Sequence, residues 1–227
     1  MAYAIDERHV AIAFAGGEVI DRGKPVKFIV QELGPLVVRS GAIAASDPSV
    51  ELEPAPFAQP VPNGEHPVTL AIARFANDDE RVAFARTKFS DATPATWKMA
   101  LLPNQNSAKL AADHYFGYGV DSGTGCFMDP AAGKLFRSRA EADGEYVNGL
   151  VDEMDKTYRH TRSWLSFRPS AANDLNVVCF SSGFGDGAYA SVFGFDAEGR
   201  VSQLVTDFGV LFGEEAAPRK KAWWQFW

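Results

Sequence analysis

Residues 38–48 read VRSGAIAASDP, and residues 120–130 read VDSGTGCFMDP. Both stretches contain Ser-Gly near the start and end in Asp-Pro, with five residues between the glycine and the aspartate. A second matched pair follows downstream, because residues 81–89 and 200–208 both begin with Arg-Val and end with Thr-x-Phe. Similar segments in the same order along a chain indicate a duplicated supersecondary unit.

The duplication predicts two halves inside a single domain of residues 1–227. The halves cover approximately 36–90 and 118–212, and the second carries a helical insert at 131–175. The glycine of a turn dipeptide precedes the last matched segment by 17 positions in the first half and by 13 in the second. The difference of four is even, so the matched strands keep the same face toward the core.

Most of the chain predicts β-strands, because short β-branched and aromatic runs alternate with Gly and Pro turn signals. Four prolines in residues 53–63 exclude a central strand there. Apolar residues recur at helical spacing from Val147 to Tyr158, which predicts an inserted helix around 138–162. We expect a mainly β (α+β) protein whose duplicated antiparallel units form a sandwich or barrel-like core. The other predicted elements are strands at 9–14, 26–31 and 35–45, hairpins at 68–75 with 81–89 and 191–195 with 200–208, and short helices at 94–101 and 107–113.

The charge of the chain limits its partners. The formal net charge is −7 and the pI is near 5.1. Nucleic-acid binding depends on Lys and Arg that neutralise phosphates, so nucleic acid and anionic membranes are not expected as partners. A basic protein would be attracted. The N-terminus lacks the pattern of a secretory signal, and no stretch reaches the roughly 18 apolar residues of a membrane span, which predicts a cytoplasmic protein.

The cysteines and histidines match no local metal motif. Cys126 and Cys179 lie 53 positions apart, and no two of the four histidines are closely spaced. This pattern predicts neither a disulfide framework nor a zinc site, and no cofactor is expected. Cys126 is a candidate nucleophile, with His114 and His160 as the nearest histidines in the sequence. The alternative is a small buried thiol.

Glycine-rich blocks accompany the repeats. They read GYGVDSGTGCFMD at 117–129, FSSGFGDG at 180–187 and VTDFGVL at 205–211. Together with residues 36–48, these blocks resemble the signature of an uncharacterised bacterial family, domain of unknown function 4241, over roughly 33–212. The resemblance implies a single-domain bacterial protein. It carries over no activity and no site residue.

The loop Asp121-Ser122-Gly123-Thr124 is the sharpest chemical candidate. It resembles the Asp-Ser/Thr-Gly-Ser/Thr loop of aspartic proteases, in which two loops bring together carboxylates that share one proton and activate water. The matched residue in the first copy is Arg39, which would pair with Asp121 and prevent proton sharing. A protease would therefore need a homodimer that brings two Asp121 carboxylates together. The alternative is a glycine-containing turn whose aspartate caps backbone amides.

Several acids near glycine-rich loops form a candidate metal site. Asp121, Asp129 and Asp186, with Asp207 as a further member, offer the oxygen ligands that calcium and magnesium prefer. The alternative is turn chemistry. Asp47 and Asp129 each precede a proline, a position that disfavours helical geometry and lets the side chain close an Asx-turn.

The C-terminal tail, 213–227, is basic and then strongly aromatic. Its rings are those of Trp223, Trp224, Phe226 and Trp227. Four exposed aromatic rings would make an adhesive surface, so we expect the tail either to cover an edge of the core or to bind a partner.

Two classes of function remain. The first is a cytoplasmic protein- or ligand-binding module, with a toxin-neutralising immunity protein as one form and a basic protein as its partner. It is favoured because the chain is small and acidic and has no complete catalytic set. The alternative is a hydrolase that uses Asp121 with Asp129 or Asp186, with or without a divalent cation.

Overall fold

The computed structural model describes residues 3–111 and 114–212. Strands make up most of the regular structure, so the mainly β fold class is confirmed. The helices in these ranges are α1 (Glu7–Phe14), α2 (Pro130–Ala142) and α3 (Tyr146–Asp155), with a 3₁₀ helix at Ser107–Lys109. The strands there are β1 (Glu18–Asp21), β2 (Lys24–Val38), β3 (Ala44–Ser46), β4 (Gly64–Arg74), β5 (Glu80–Lys88), β6 (Thr96–Met99), β7 (Tyr118–Val120), β8 (Thr124–Met128), β9 (Trp164–Phe167), β10 (Val177–Ser181), β11 (Gly187–Phe195) and β12 (Val201–Asp207).

Two antiparallel sheets form the body of the protein. The first has the order β1-β2-β4-β5-β12-β11-β6, with β7 also paired to β11, and it curls into half of a barrel. The second has the order β3-β8-β10-β9. Both predicted hairpins are present, as β4–β5 and β11–β12.

The second sheet is the middle layer of the fold. Its side chains alternate between two apolar clusters, because successive strand residues point to opposite faces. Phe127 packs in the larger cluster, which the curled sheet shares, whereas its neighbour Cys126 packs in a smaller one. Phe136 of α2 and Met154 of α3 belong to the smaller cluster. The helices therefore cover the side of the second sheet that faces away from the first.

Corresponding parts of the two predicted halves pair in the same way. Val38 pairs with Gly64 in the first half, and Val120 pairs with Gly187 in the second. These are matched positions of the repeat, so each half uses the same register where its first segment meets its hairpin.

The halves also meet each other through matched strands. β3 pairs with β8 around the pair Ala45 and Phe127, and β5 pairs with β12 around the pair Arg86 and Val205. In both cases a segment lies antiparallel to its own counterpart, centred on equivalent residues. Two copies related by an approximate two-fold axis would pair in this way. The division of the domain into halves remains a prediction, which these registers support.

The prediction of a strand at 9–14 was wrong, because the segment belongs to α1. The Asp6 side chain accepts a hydrogen bond from the backbone N–H of His9 and caps the helix, and Glu7 lies in its first turn. Val10 and Ala13, three residues apart, face the core. A short apolar run is compatible with both the helical and the strand periodicity. The Asp6 cap favours the helix.

The single inserted helix predicted at 138–162 is instead two shorter helices, α2 and α3. The first begins earlier, because Asp129 caps it and Pro130 occupies its first turn. Asp143 and Gly144 interrupt the helical pattern between the two. Residues beyond Asp155 turn toward β9, so the apolar spacing that continues to Tyr158 does not extend the helix.

Three smaller predictions also need correction. The helix predicted at 94–101 contains β6, because pairing with β11 supplies backbone partners that outweigh local propensity. The strands predicted at 26–31 and 35–45 are the long β2, with a register irregularity between Glu32 and Gly34, and the short β3. Of the helix predicted at 107–113, the first three residues form the 3₁₀ helix, and residues 112–113 lie outside the described part of the chain.

Glu80 of the first sheet forms an ion pair with Arg162, in the segment that leads into β9. Its side chain is 1% exposed, and its carboxylate lies 2.7 Å from the Arg162 guanidinium. Arg74 Nε donates a hydrogen bond to Glu80 Oε1 at 2.8 Å. Burial raises the pKa of Glu80, but the two guanidinium groups outweigh it, so the pKa lies below its ordinary value.

We expect Glu80→Gln to lower the free energy of unfolding at neutral pH by about 3 kcal/mol, because Arg162 loses its buried counter-charge. Since the folded-state pKa is depressed, this contribution is present above the ordinary pKa of 4.5 and is lost as the pH falls through the folded-state value. Urea unfolding of both proteins across this pH range measures the difference. Glu198→Gln, which breaks an exposed pair with Arg200, is the control, with an expected change below about 0.5 kcal/mol. A wild-type advantage that does not shrink in acid would contradict the assignment.

Candidate functional site

The carboxylate of Asp47 binds the loop of the other predicted half. It is buried and accepts hydrogen bonds from the backbone N–H groups of Asp121 (2.9 Å) and Ser122 (2.7 Å) and from the Ser122 hydroxyl (2.7 Å). It also accepts from the N–H of Ser49 at 2.8 Å, which is the Asx-turn expected at an Asp-Pro site.

Asp129, in the second predicted half, makes the corresponding contacts with the loop of the first. Its fully buried carboxylate accepts from the backbone N–H groups of Arg39 (2.7 Å) and Ser40 (2.8 Å). Its other oxygen accepts from the N–H of Ala131 at 2.7 Å and caps α2. Each Asp-Pro aspartate therefore holds the Ser-Gly loop of the other half. We call these interactions the reciprocal carboxylate contacts.

The pairing of β3 with β8 explains why these contacts form. In an antiparallel pair, the residue that follows one strand lies beside the segment that precedes the other. Asp47 follows β3 and the 121–123 loop precedes β8, while Asp129 follows β8 and the 39–41 loop precedes β3. Gly41 and Gly123 both have φ of +72°, a left-handed conformation that glycine adopts without strain.

The loop that resembles an aspartic-protease loop is not matched by a second aspartate, because the corresponding residue of the first copy is Arg39. Asp121 is exposed. Its hydrogen bond to Asp47 comes from its backbone N–H and not from its carboxylate. Arg39 pairs with Asp174. The two matched residues therefore take part in different interactions, and no shared-proton pair forms within one chain among the residues described.

The candidate metal ligands do not form one cluster in the described residues. Asp129 engages three backbone N–H groups, as described above, and Asp186 is exposed. Asp207 accepts hydrogen bonds from the Tyr3 hydroxyl and the Gly209 N–H, both at 2.8 Å, and burial raises its pKa. Within residues 3–111 and 114–212, no group of three or more His, Cys, Asp or Glu side chains is arranged to hold a metal ion.

The two thiols are interior groups on neighbouring strands. Cys126 is fully buried, and its Sγ donates to the backbone carbonyl of Ser46 at 3.3 Å. Cys179 lies opposite Cys126 in the pairing of β8 with β10. A hydrogen bond with Cys126 and burial raise the pKa of the Cys179 thiol well above its ordinary value. A thiol held in the protonated form is a poor nucleophile.

A groove lies between α3 and the second sheet, and it is the site best suited to hold another molecule. Its volume is about 290 Å³. One wall is the loop Ser122-Gly123-Thr124, which the Asp47 contacts fix in place. Ser163 and Ser181 contribute hydroxyl groups, and the Ser163 N–H donates to the Ser181 hydroxyl at 2.9 Å. The apolar lining includes Val147, Leu150, Val151, Met154, Leu165 and Phe167. We call this site the α3 groove.

The rim of the α3 groove is apolar and acidic. Val151 is 48% exposed and Tyr158 is 62% exposed, which places two large hydrophobic side chains in solvent beside the cavity. Asp155 lines the groove, and Asp152 is exposed elsewhere on the same helix; neither forms an ion pair within the described parts of the chain. An apolar cavity with a few polar groups is typical of a binding site.

The sequence contained part of the signal for this groove. The spacing of Val147, Val151 and Met154 indicated a helix with one apolar face, but it did not reveal that the face is only partly covered. Ser163 and Ser181 were missed as candidates, because they are distant in sequence and become neighbours only through the pairing of β9 with β10.

Comparison with known families identifies this chain as a member of the family described as "Protein of unknown function (DUF4241)", whose model matches residues 36–206. The resemblance inferred from the glycine-rich blocks is therefore confirmed. The match contains both reciprocal carboxylate contacts and the α3 groove. The comparisons with curated proteins and with solved structures gave no match. In the described residues, no helix is long and apolar enough to cross a membrane.

We expect Asp47→Ala to lower the free energy of unfolding by about 3–5 kcal/mol, because four donors would lose a buried charged acceptor. Chemical unfolding monitored by circular dichroism measures the loss. Asp186→Ala is the matched control, since this exposed aspartate also lies beside a glycine-rich loop, and its expected change is below about 0.5 kcal/mol. Equal effects of the two substitutions would contradict a structural role for the Asp47 carboxylate.

The native thiols should react with a disulfide reagent at least about a hundredfold more slowly than in denaturant, because both are buried and exposure requires opening of the structure. The rate is measured from the absorbance of the released thiolate. Ser138→Cys, at an exposed position of α2, is the control that should react rapidly. Rapid reaction of Cys126 in the native wild type would contradict this expectation and would support Cys126 as a nucleophile.

Proposed function

We propose that this protein is a binding module whose α3 groove receives an apolar side chain from a basic protein partner. The observation that carries the proposal is the coincidence of three features at one place. These are a cavity of about 290 Å³, two exposed hydrophobic side chains at its rim, and exposed acids on the same helix that form no ion pair with the described residues.

The size of the groove favours an anchor side chain. Cavities that enclose whole small-molecule ligands usually measure about 300–1,000 Å³, and this one, at about 290 Å³, lies just below that range. A single Leu, Phe or Trp of a partner would fill much of it, while Val151 and Tyr158 would pack against the residues around the anchor. Interfaces commonly obtain most of their binding energy from a few such anchors in pockets.

The charge of the site favours a basic partner. The chain carries a net charge of −7, and Asp155 adds negative charge at the groove, with Asp152 on the same helix. Complementary charge increases the rate of association and suppresses acidic competitors. An isolated small apolar ligand would gain nothing from these acids.

More specifically, we propose that the protein is a bacterial, cytoplasmic immunity protein that neutralises a basic toxin. It rests on the small size and acidity of the chain and on the groove described above. The aromatic tail, with Trp223, Trp224, Phe226 and Trp227, remains a predicted second contact surface, and it lies outside the described residues. The hydrolase alternative is not taken forward, because three backbone N–H groups already use the Asp129 carboxylate. Among the described residues, the exposed Asp121 and Asp186 carboxylates form no hydrogen bond or ion pair with a catalytic partner.

A panel of labelled seven-residue peptides tests the proposal by fluorescence anisotropy. Each peptide has a central Leu, Phe or Trp flanked by Lys and Arg, and a matched panel replaces the basic flanks with Glu. We expect the basic panel to bind, with affinity that falls as salt rises. We expect Val151→Lys to weaken binding at least about tenfold, because it places a repelling charge at the rim.

Val30→Lys is the matched control for this experiment. Val30 is also an exposed valine, at 39%, but it lies on β2 and does not line the groove. Its substitution should leave peptide binding unchanged. The proposal fails if neither panel binds, if the acidic panel binds as tightly as the basic one, or if the two valine substitutions weaken binding equally.

A further inference from the structure

Arg86 of β5 is partly buried, and its surroundings differ from those of the buried Arg162. Its Nε is buried and has no hydrogen-bond partner, and the guanidinium forms no ion pair in the described ranges. The charged group stacks on the Phe14 ring, whose centroid lies 3.8 Å from Arg86 Cζ. By contrast, Arg162 has the Glu80 carboxylate as its counter-charge.

The Arg86 guanidinium remains a cation in this environment. Burial lowers its pKa to about 10, which is still far above neutral pH. A desolvated charge without a counter-charge is unfavourable, and stacking on an aromatic ring offsets only part of that cost. An anion bound beside Arg86 would supply the missing interaction.

A cavity of about 530 Å³ opens beside Arg86. Its floor follows a row of paired residues across four strands, in the order Lys88, Gln203, Gly194 and Trp97. The absence of a side chain at Gly194 matters, because a Cβ there would lie 3.0 Å from the Pro94 ring. The loop that contains Pro94 can therefore pack close to the sheet and form one wall. We call this space the Arg86 cavity.

The lining of the Arg86 cavity is cationic near its base. Arg8 of α1 forms part of the opposite wall, with Glu7 beside it. Lys88 donates to the exposed Asp91 carboxylate at 2.7 Å, so these two charges offset each other. Within residues 3–111 and 114–212, the Arg86 charge has no such partner, although the protein as a whole is acidic.

We propose that the Arg86 cavity binds a small organic phosphate. A guanidinium matches the geometry of phosphate oxygens, and the Thr93 hydroxyl and the Gln203 amide are neutral donors in the same cavity. Trp97 offers an aromatic face for the organic part of the ligand. The volume lies within the range of small-molecule sites and exceeds what inorganic phosphate alone needs. This site is separate from the α3 groove, so the two proposals stand or fall independently.

Isothermal titration calorimetry with phenyl phosphate, inorganic phosphate and acetate tests the assignment at constant ionic strength. We expect phenyl phosphate to bind more tightly than inorganic phosphate, and acetate to bind least. We expect Arg86→Gln to weaken binding of phenyl phosphate at least about tenfold. Arg139→Gln, which removes an arginine stacked on Tyr146 of the α2–α3 region, is the matched control and should leave binding unchanged.

Thermal unfolding without ligand separates binding from a structural role. Because Arg86 is a partly buried cation with no ion pair among the described residues, Arg86→Gln should unfold at the same temperature as the wild type or at a higher one. If this variant does not fold, Trp97→Ala provides the second comparison, and it should lose the preference for phenyl phosphate over inorganic phosphate.

Three results would overturn the proposal. They are failure of the wild type to bind phenyl phosphate, equal affinity for phenyl phosphate and inorganic phosphate, and binding that Arg86→Gln does not weaken. The second result would assign the cavity to free phosphate instead.

Discussion

A carboxylate buried without donors is strongly unfavourable, and in this protein most of the donors for two such groups come from the opposite predicted half of the chain. Asp47 holds the 121–123 loop, and Asp129 holds the 39–41 loop. Within its own predicted half, each aspartate accepts only one of the hydrogen bonds described, from Ser49 or from Ala131. The requirement that both carboxylates be satisfied therefore couples the placement of the two loops to the pairing of β3 with β8.

The candidate binding site depends on this arrangement. Ser122 lines the α3 groove. Its backbone N–H and its hydroxyl both donate to the Asp47 carboxylate, and the N–H of the neighbouring Asp121 donates to the same group. The capping of α2 by Asp129 sets where the helical insert begins, and α3 follows it to form the other wall. One pair of acids thus positions both sides of the groove. The Arg86 cavity lies on the first sheet and uses different elements.

Local sequence was enough to predict the β class, both hairpins and the Asx-turns at the Asp-Pro sites. It failed where tertiary contacts decide between alternatives. Residues 9–14 fit a strand as well as a helix until the Asp6 cap is considered, and 96–99 become a strand only through β11. The acids were recognised as unusual, but their use as hydrogen-bond acceptors for distant loops could not be inferred, because it requires knowledge of which strands pair. The environment of Arg86 was hidden for the same reason.

A double-mutant cycle on the reciprocal carboxylate contacts tests this account most directly. The free energy of unfolding would be measured for the wild type, Asp47→Ala, Asp129→Ala and the double variant. If the two contacts support one unit built around β3 and β8, loss of either weakens the other, and the double variant should be less destabilised than the sum of the single effects by more than about 0.5 kcal/mol. Additivity within about 0.3 kcal/mol would contradict the claim and would mean that the two loops are held independently.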